Sequence, residues 1–168
     1  DYGHEWRESS TPCLRELGVI VLNPLNKPIN VGLETDDYRS LRRELKEQGK
    51  YNDLRPIIQT IRHVDLRMVD KADFVIAHLD WTKAMCGTHA EIGWANRGKK
   101  PSIFHCEQGK EGMSDWMFGM CPHDLFFDTW EQVRAYVKHV DSDPQVETYG
   151  RWLFFDLSEQ IEETANVN

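Results

Sequence analysis

At 168 residues, 40% hydrophobic and 29% charged, the chain has the length and composition of one soluble-type globular domain with room for a proper core. Its formal net charge of −8 argues against a general binder of nucleic-acid backbones, which shows a basic patch or stripe; single nucleotides are not excluded, duplex nucleic acid is not an expected partner. No apolar run approaches the roughly 20 residues of a bilayer span, so no membrane association is expected.

In chain order, Glu5 to Leu17 reads as an amphipathic helix with Trp6, Cys13, Leu14 and Leu17 toward the core. Pro12 allows two readings, a kinked helix or one that begins near Ser10, because an interior proline costs about 3 kcal/mol. Val19 to Leu22 reads as an apolar strand stopped by Asn23-Pro24, and Leu25 to Thr35 as a loop. Asp36 to Gln48 is a charged helix with Leu41 and Leu45 on one face, and its charge run reads as a solvated surface. Leu54 to Val69 is a longer helix that leads, through Asp70 to Asp73, into the central stretch.

That stretch runs from Phe74 to Lys100. Phe74 to Leu79 suits a buried strand, Gly87-Thr88 opens a helix, and Gly98 with two lysines closes it. Ser102 to His105 is a second strand, so a parallel crossover is expected. Beyond it come a polar loop, a short helix within Met113 to Met120, a strand at Leu125 to Phe127, a helix from Trp130 to Val140 capped by Thr129, and a final strand at Trp152 to Phe155. The order implies an α/β fold, most simply a flavodoxin-like open, mostly parallel sheet with helices on both faces. The domain is expected over residues 1–157, with a polar C-terminal tail over 158–168. A fold of this type normally starts with a strand, and that first strand is expected to be missing before Asp1.

In open parallel sheets, ligands sit beyond the carboxyl ends of the strands. Asp80, Trp81, Gly87, Thr88 and Glu91 are expected at that edge. Glu91, near the start of its helix, is expected to be held as a carboxylate by the helix dipole, and an ionised carboxylate can attack a sugar anomeric carbon. Asp65, on the preceding helix, would supply the second carboxylate for proton handling. From position alone, helix stabilisation for Glu91 and pairing with Arg62 or Arg67 for Asp65 are the plainer readings. Gly87-Thr88 offers backbone N–H groups to an anion or hydroxyl. Trp81 and Trp116 could stack on a base, although single tryptophans more often pack. Cys13, Cys86, Cys106 and Cys121 lack CxxC spacing and read as reduced thiols. A metal set of His105, Cys106, Cys121 and His123 is outweighed by ordinary side chains near strand ends; no metal and no cofactor is expected. The signatures of dinucleotide oxidoreductases, P-loop enzymes, zinc proteases and serine hydrolases are absent.

At these residues the chain resembles the nucleoside 2-deoxyribosyltransferase family. The resemblance rests on Asp65-Leu66, on Ala72 to Ala77, on Leu79-Asp80, on Gly87-Thr88-His89-Ala90-Glu91-Ile92-Gly93-Trp94-Ala95, and on Gly98-Lys99-Lys100-Pro101. Asp115 to His123 looks like the D-W-x-F-G-x-x-P-H segment of phage- and bacteria-associated members. The resemblance implies a flavodoxin-like fold and cleavage of the N-glycosidic bond of a nucleoside or nucleoside monophosphate, with 2-deoxyribosyl transfer to another base or to water. It makes Glu91 the nucleophile that holds the sugar covalently and Asp65 the residue that contacts the base and assists its protonation. It places Asp80 and the loop through Cys86 to Thr88 at the substrate edge. It also implies a homo-oligomer whose neighbour completes the site, and a cytoplasmic setting in a bacterium or phage-infected host. The family's Tyr-Leu-x-Gly-Pro-like first strand would precede Asp1; Met85 stands where transferases often have an acid, beside Cys86. Hydrolase and transferase chemistry both stay open, and the alternative is a non-catalytic nucleotide-binding module of the same fold.

Overall fold

The computed structural model describes residues 4–143 and 151–152. Helix α1 covers His4–Glu16, α2 Asp36–Glu47, α3 Tyr51–Lys71, α4 Cys86–Arg97, α5 Asp115–Met120 and α6 Trp130–Ser142. Strands β1 (Val75–Leu79), β2 (Ser102–Cys106) and β3 (Phe126–Phe127) form a parallel sheet in that order. Each connection leaves the top of one strand and returns to the bottom of the next, with α4 bridging β1 to β2. The sheet is open, and the fold is the flavodoxin-like α/β arrangement read from the element order.

Strand side chains alternate between two cores. On one face Ala77, Leu79, Phe104 and Cys106 meet Ile92 of α4 and Met117 of α5. On the other, Ile103 meets Leu14 of α1 and Val133, Val137 and Val140 of α6, with Ile76 and Phe74 alongside. β2 is buried along its whole length, because helices cover both of its faces. Thr129 starts α6 with a full capping box to Gln132.

Pro12 lies inside a continuous α1. The hydroxyls of Ser9 and Thr11 donate to the carbonyls of Trp6 and Arg7 at 3.1 and 2.6 Å, adding bonds in the turn that the proline weakens. α3 begins earlier than expected and takes in Asn52, with Pro56 as its sixth residue; past the first turn, the proline leaves the Asn52 carbonyl without its helical N–H partner. Leu45 is buried, and Leu41, one turn away on the same face of α2, is 38% exposed.

Val19 to Leu22 is not a strand. Its burial does alternate, with Val19 and Val21 packed on the α1–α6 core and Ile20 86% exposed. Among the described residues no strand pairs with it, and a strand exists only through a hydrogen-bonded neighbour. Of the final predicted strand, Trp152 is described and lies outside any strand; its indole donates to the Tyr136 hydroxyl at 3.0 Å. The remaining residues of that prediction, and the boundary at 157, lie outside the described residues. All four cysteines are unpaired. No helix among the described residues is long and apolar enough to cross a membrane.

Candidate active site

The candidate acids come together on the seam between α3 and α4. Both helices lead into the lower end of a strand, so they run the same way. Asp65 precedes Lys71, the last residue of α3, by six residues, and Glu91 precedes Arg97, the last of α4, by six. At 1.5 Å of rise per residue, both sit about 9 Å above the lower end of their helices. The two helices pack against each other, and Trp94 Nε1 of α4 donates to Asp70 Oδ1 of α3 at 2.7 Å.

Glu91 therefore occupies the second turn of α4, whose first turn holds no acid. This corrects the expected dipole-stabilised carboxylate, since the dipole effect fades beyond the first turn. Burial and the charge of Asp65 push the Glu91 carboxyl up to about 7, and Arg7 and Lys27 act against that rise. Asp65 is also raised, chiefly by burial, while the hydrogen bond and charge of Lys27 oppose the shift. Two carboxyls that disfavour each other's charge, next to the buried Lys27 and half-buried Arg7, form an acid–base pair in which the Glu91 proton moves at near-neutral pH.

The cations come from segments in which position alone gave no hint. Lys27, in the loop before α2, has a side chain with 0% exposure. Its ammonium donates to Asp65 Oδ1 and lies 3.6 Å from Glu34 Oε1. Glu34 in turn pairs with Arg42 of α2 at 3.5 Å. Gly32 holds this loop down: its φ is +66°, and a Cβ there would stand 3.2 Å from Ile61 Cα and Thr60 O of α3. A larger residue would lift the loop away from Asp65. Arg7 of α1 reaches the same group, feeling the charges of Glu91 and Glu34 while burial lowers its pKa.

Above the seam, the tips of β1 and β2 are laced together. Asp80 is buried, and its Oδ1 accepts from Thr82 N–H at 2.9 Å, Thr82 Oγ1 at 2.7 Å and Gln108 Nε2 at 2.8 Å. Gln108 Oε1 accepts from Trp81 N–H at 3.0 Å. Asp80 thus shapes the loop that leads to α4, with Gln108 as its unforeseen partner. Met85 turns its sulfur to the Asp80 N–H at 3.3 Å and packs on the core. Trp81 stacks on His89 at 5.2 Å, and its Nε1 is buried with no partner among the described residues. Cys86 and Gly87 are exposed in the first turn of α4, and a Cβ at Gly87 would meet nothing within 4 Å. Thr88 is half-buried one position further on. Trp116 is 79% exposed and lines a separate groove with Asn96, Asp115, Gly119 and Met120, near the far end of α4 from Gly87.

The four residues weighed as a metal set do not converge. Cys106 and Cys121 are buried in the apolar core on the α4 side, His105 faces His78, and His123 pairs with Asp124 at the surface at 3.3 Å.

No curated protein and no solved structure matches the chain. The family described as nucleoside 2-deoxyribosyltransferase matches residues 2–125, a span that contains Arg7, Lys27, Asp65, Asp80 and Glu91, and more than half of the chain. The chain therefore belongs to the nucleoside 2-deoxyribosyltransferase family, and its function is of that general transferase type.

Proposed function

We propose that the protein cleaves the N-glycosidic bond of a deoxynucleoside or its monophosphate through a covalent bond to Glu91, and passes the 2-deoxyribosyl group to a second base or to water. The observation that carries this reading is the meeting of Glu91 and Asp65 at one height on the α3–α4 seam, with Glu91 raised to about 7, the buried Lys27 acting on both acids and Arg7 on Glu91.

In the first half-reaction a Glu91 carboxylate oxygen attacks C1′. The C1′–N bond breaks, its electron pair stays on the base nitrogen, and the base takes up a proton. Lys27 engages Oδ1 of Asp65, which leaves Oδ2 to face the leaving base and assist that protonation. Arg7 favours the charged form of Glu91, the form that attacks. In the second half-reaction an acceptor nitrogen or water attacks C1′, and Glu91 departs as carboxylate. The open first turn of α4, at Cys86, Gly87 and Thr88, gives the sugar and base room beside Glu91. A neighbouring copy of the chain is proposed to complete the site.

The test is product analysis by liquid chromatography and mass spectrometry, with each deoxynucleoside and monophosphate as donor, with and without a second base. A new nucleoside marks transfer, and free base with free sugar marks hydrolysis. Either product must vanish in Glu91→Ala with the fold retained. Nucleotide binding without turnover of any donor would instead establish a binding module.

A further inference from the structure

His78 and His105 occupy one register position on the neighbouring strands β1 and β2, so both imidazoles leave the same face of the sheet. It is the face covered by α1 and α6, away from the α3–α4 seam. Their Nδ1 atoms are 2.8 Å apart and their rings stack at 5.0 Å. A neutral imidazole has one ring nitrogen that donates and one that carries a bare lone pair, so in the Nδ1–Nδ1 contact one ring turns its lone pair toward the other.

A carboxylate completes the set. Glu107 Oε2 lies 3.8 Å from His78 Nε2, and one donor atom from each of the three residues falls within 4.8 Å of the others. The Glu107 N–H donates to Leu79 O at 2.9 Å, which ties the third residue to the end of β1. Trp130 stacks on His105 at 4.4 Å and Trp6 on Trp130 at 4.6 Å, a wall that fixes the plane of the imidazole.

We propose that His78, His105 and Glu107 form a binding site for one divalent transition-metal ion of the zinc class. Two imidazoles and a carboxylate are a known zinc donor set that leaves a fourth position open. With one donor atom from each residue already within 4.8 Å of the others, small side-chain rotations bring the three onto one ion at about 2.0–2.2 Å. Glu107 is exposed, and the ion enters from its side. Magnesium and calcium prefer all-oxygen sets. Thiolates take no part, because Cys106 and Cys121 lie in the core on the opposite face. The site shares no ligand with the Glu91–Asp65 pair, so it stands whether or not the proposed reaction does.

The test uses the full chain after chelator treatment, titrated with zinc chloride alone and then desalted for metal analysis, beside Glu107→Gln and His105→Gln. One retained equivalent is expected in the wild type, with binding at least about 10-fold weaker in each variant. Magnesium chloride should give no binding. Cobalt chloride should give a tetrahedral visible spectrum without a thiolate charge-transfer band. Glu107 is exposed, so its variant keeps the fold, and a circular dichroism melt without metal checks both variants. Failure to retain zinc, zinc binding in both variants as tight as in the wild type, or a thiolate band would each overturn the site.

Discussion

The tip of the sheet and the seam between α3 and α4 each hold an acid of the same crossover, and they treat it in opposite ways. At the tip, one oxygen of Asp80 accepts three hydrogen bonds, so its charge is spent on shaping a loop. At the seam, Glu91 is placed against Asp65 and away from water, and its carboxyl is pushed up to about 7. A satisfied acid stabilises the fold and is chemically quiet; an acid set against a second carboxylate costs stability and gains reactivity. Lys27 offsets that opposition at both carboxyls, and Arg7 at Glu91.

The largest way to break the contrast is to remove the acid proposed as nucleophile. Glu91→Gln should reduce turnover by about 10³-fold or more, measured by steady-state kinetics, while Asp80→Asn should act mainly through KM by loosening the loop. Removing the seam's counter-charge comes next. Lys27→Met leaves Asp65 with its bonded cation gone and should destabilise the chain by about 3–5 kcal/mol in urea unfolding.

The pH response sharpens the contrast further. Glu91 binds its proton more tightly folded than unfolded, rising from 4.5 to about 7. Its contribution to stability is therefore fully present below pH 4.5 and is lost as pH rises through about 7, by up to ~3 kcal/mol at 1.36 kcal/mol per pKa unit. Glu91→Gln should flatten that part of the stability profile and raise Tm relative to wild type at pH 8. The kcat/KM profile should climb through about 7 as the attacking carboxylate forms.

Smaller effects belong to the tip and the surface. Asp80→Ala strands the donors of Thr82 and Gln108 and should cost about 1–3 kcal/mol. Trp116→Ala, at an exposed groove, should change stability by no more than about 0.5 kcal/mol, a value readable from a thermal melt.

The same contrast explains what could be read from the chain alone. The crossover from β1 through α4 to β2 was legible because its signals are local: an apolar run, a helix closed by Gly98, a second apolar run. Glu91 and Asp65 were legible as candidates because the motif around them carries a family resemblance. The electrostatics at Glu91 were not, because they depend on how far down α4 it sits and on which residues of α3 and α1 face it. Lys27 and Glu34 lay in a stretch with no periodicity, and their role arises from Gly32 pressing that loop onto α3. Val19 to Leu22 shows the same limit from the other side: its apolar run read as a strand, but pairing belongs to a neighbour that no local pattern reveals. His78 and His105 lie in separate strands, and only the parallel register puts them face to face.

The most direct measurement is peptide mass spectrometry of the protein quenched during turnover of a deoxynucleoside donor. A nucleophilic Glu91 requires one added 2-deoxyribosyl group on the peptide that contains it, released again when a second base is supplied, and absent in Glu91→Gln. Turnover with no adduct on that peptide, in a protein whose Glu91→Gln variant works as well as the wild type, would contradict the covalent mechanism outright.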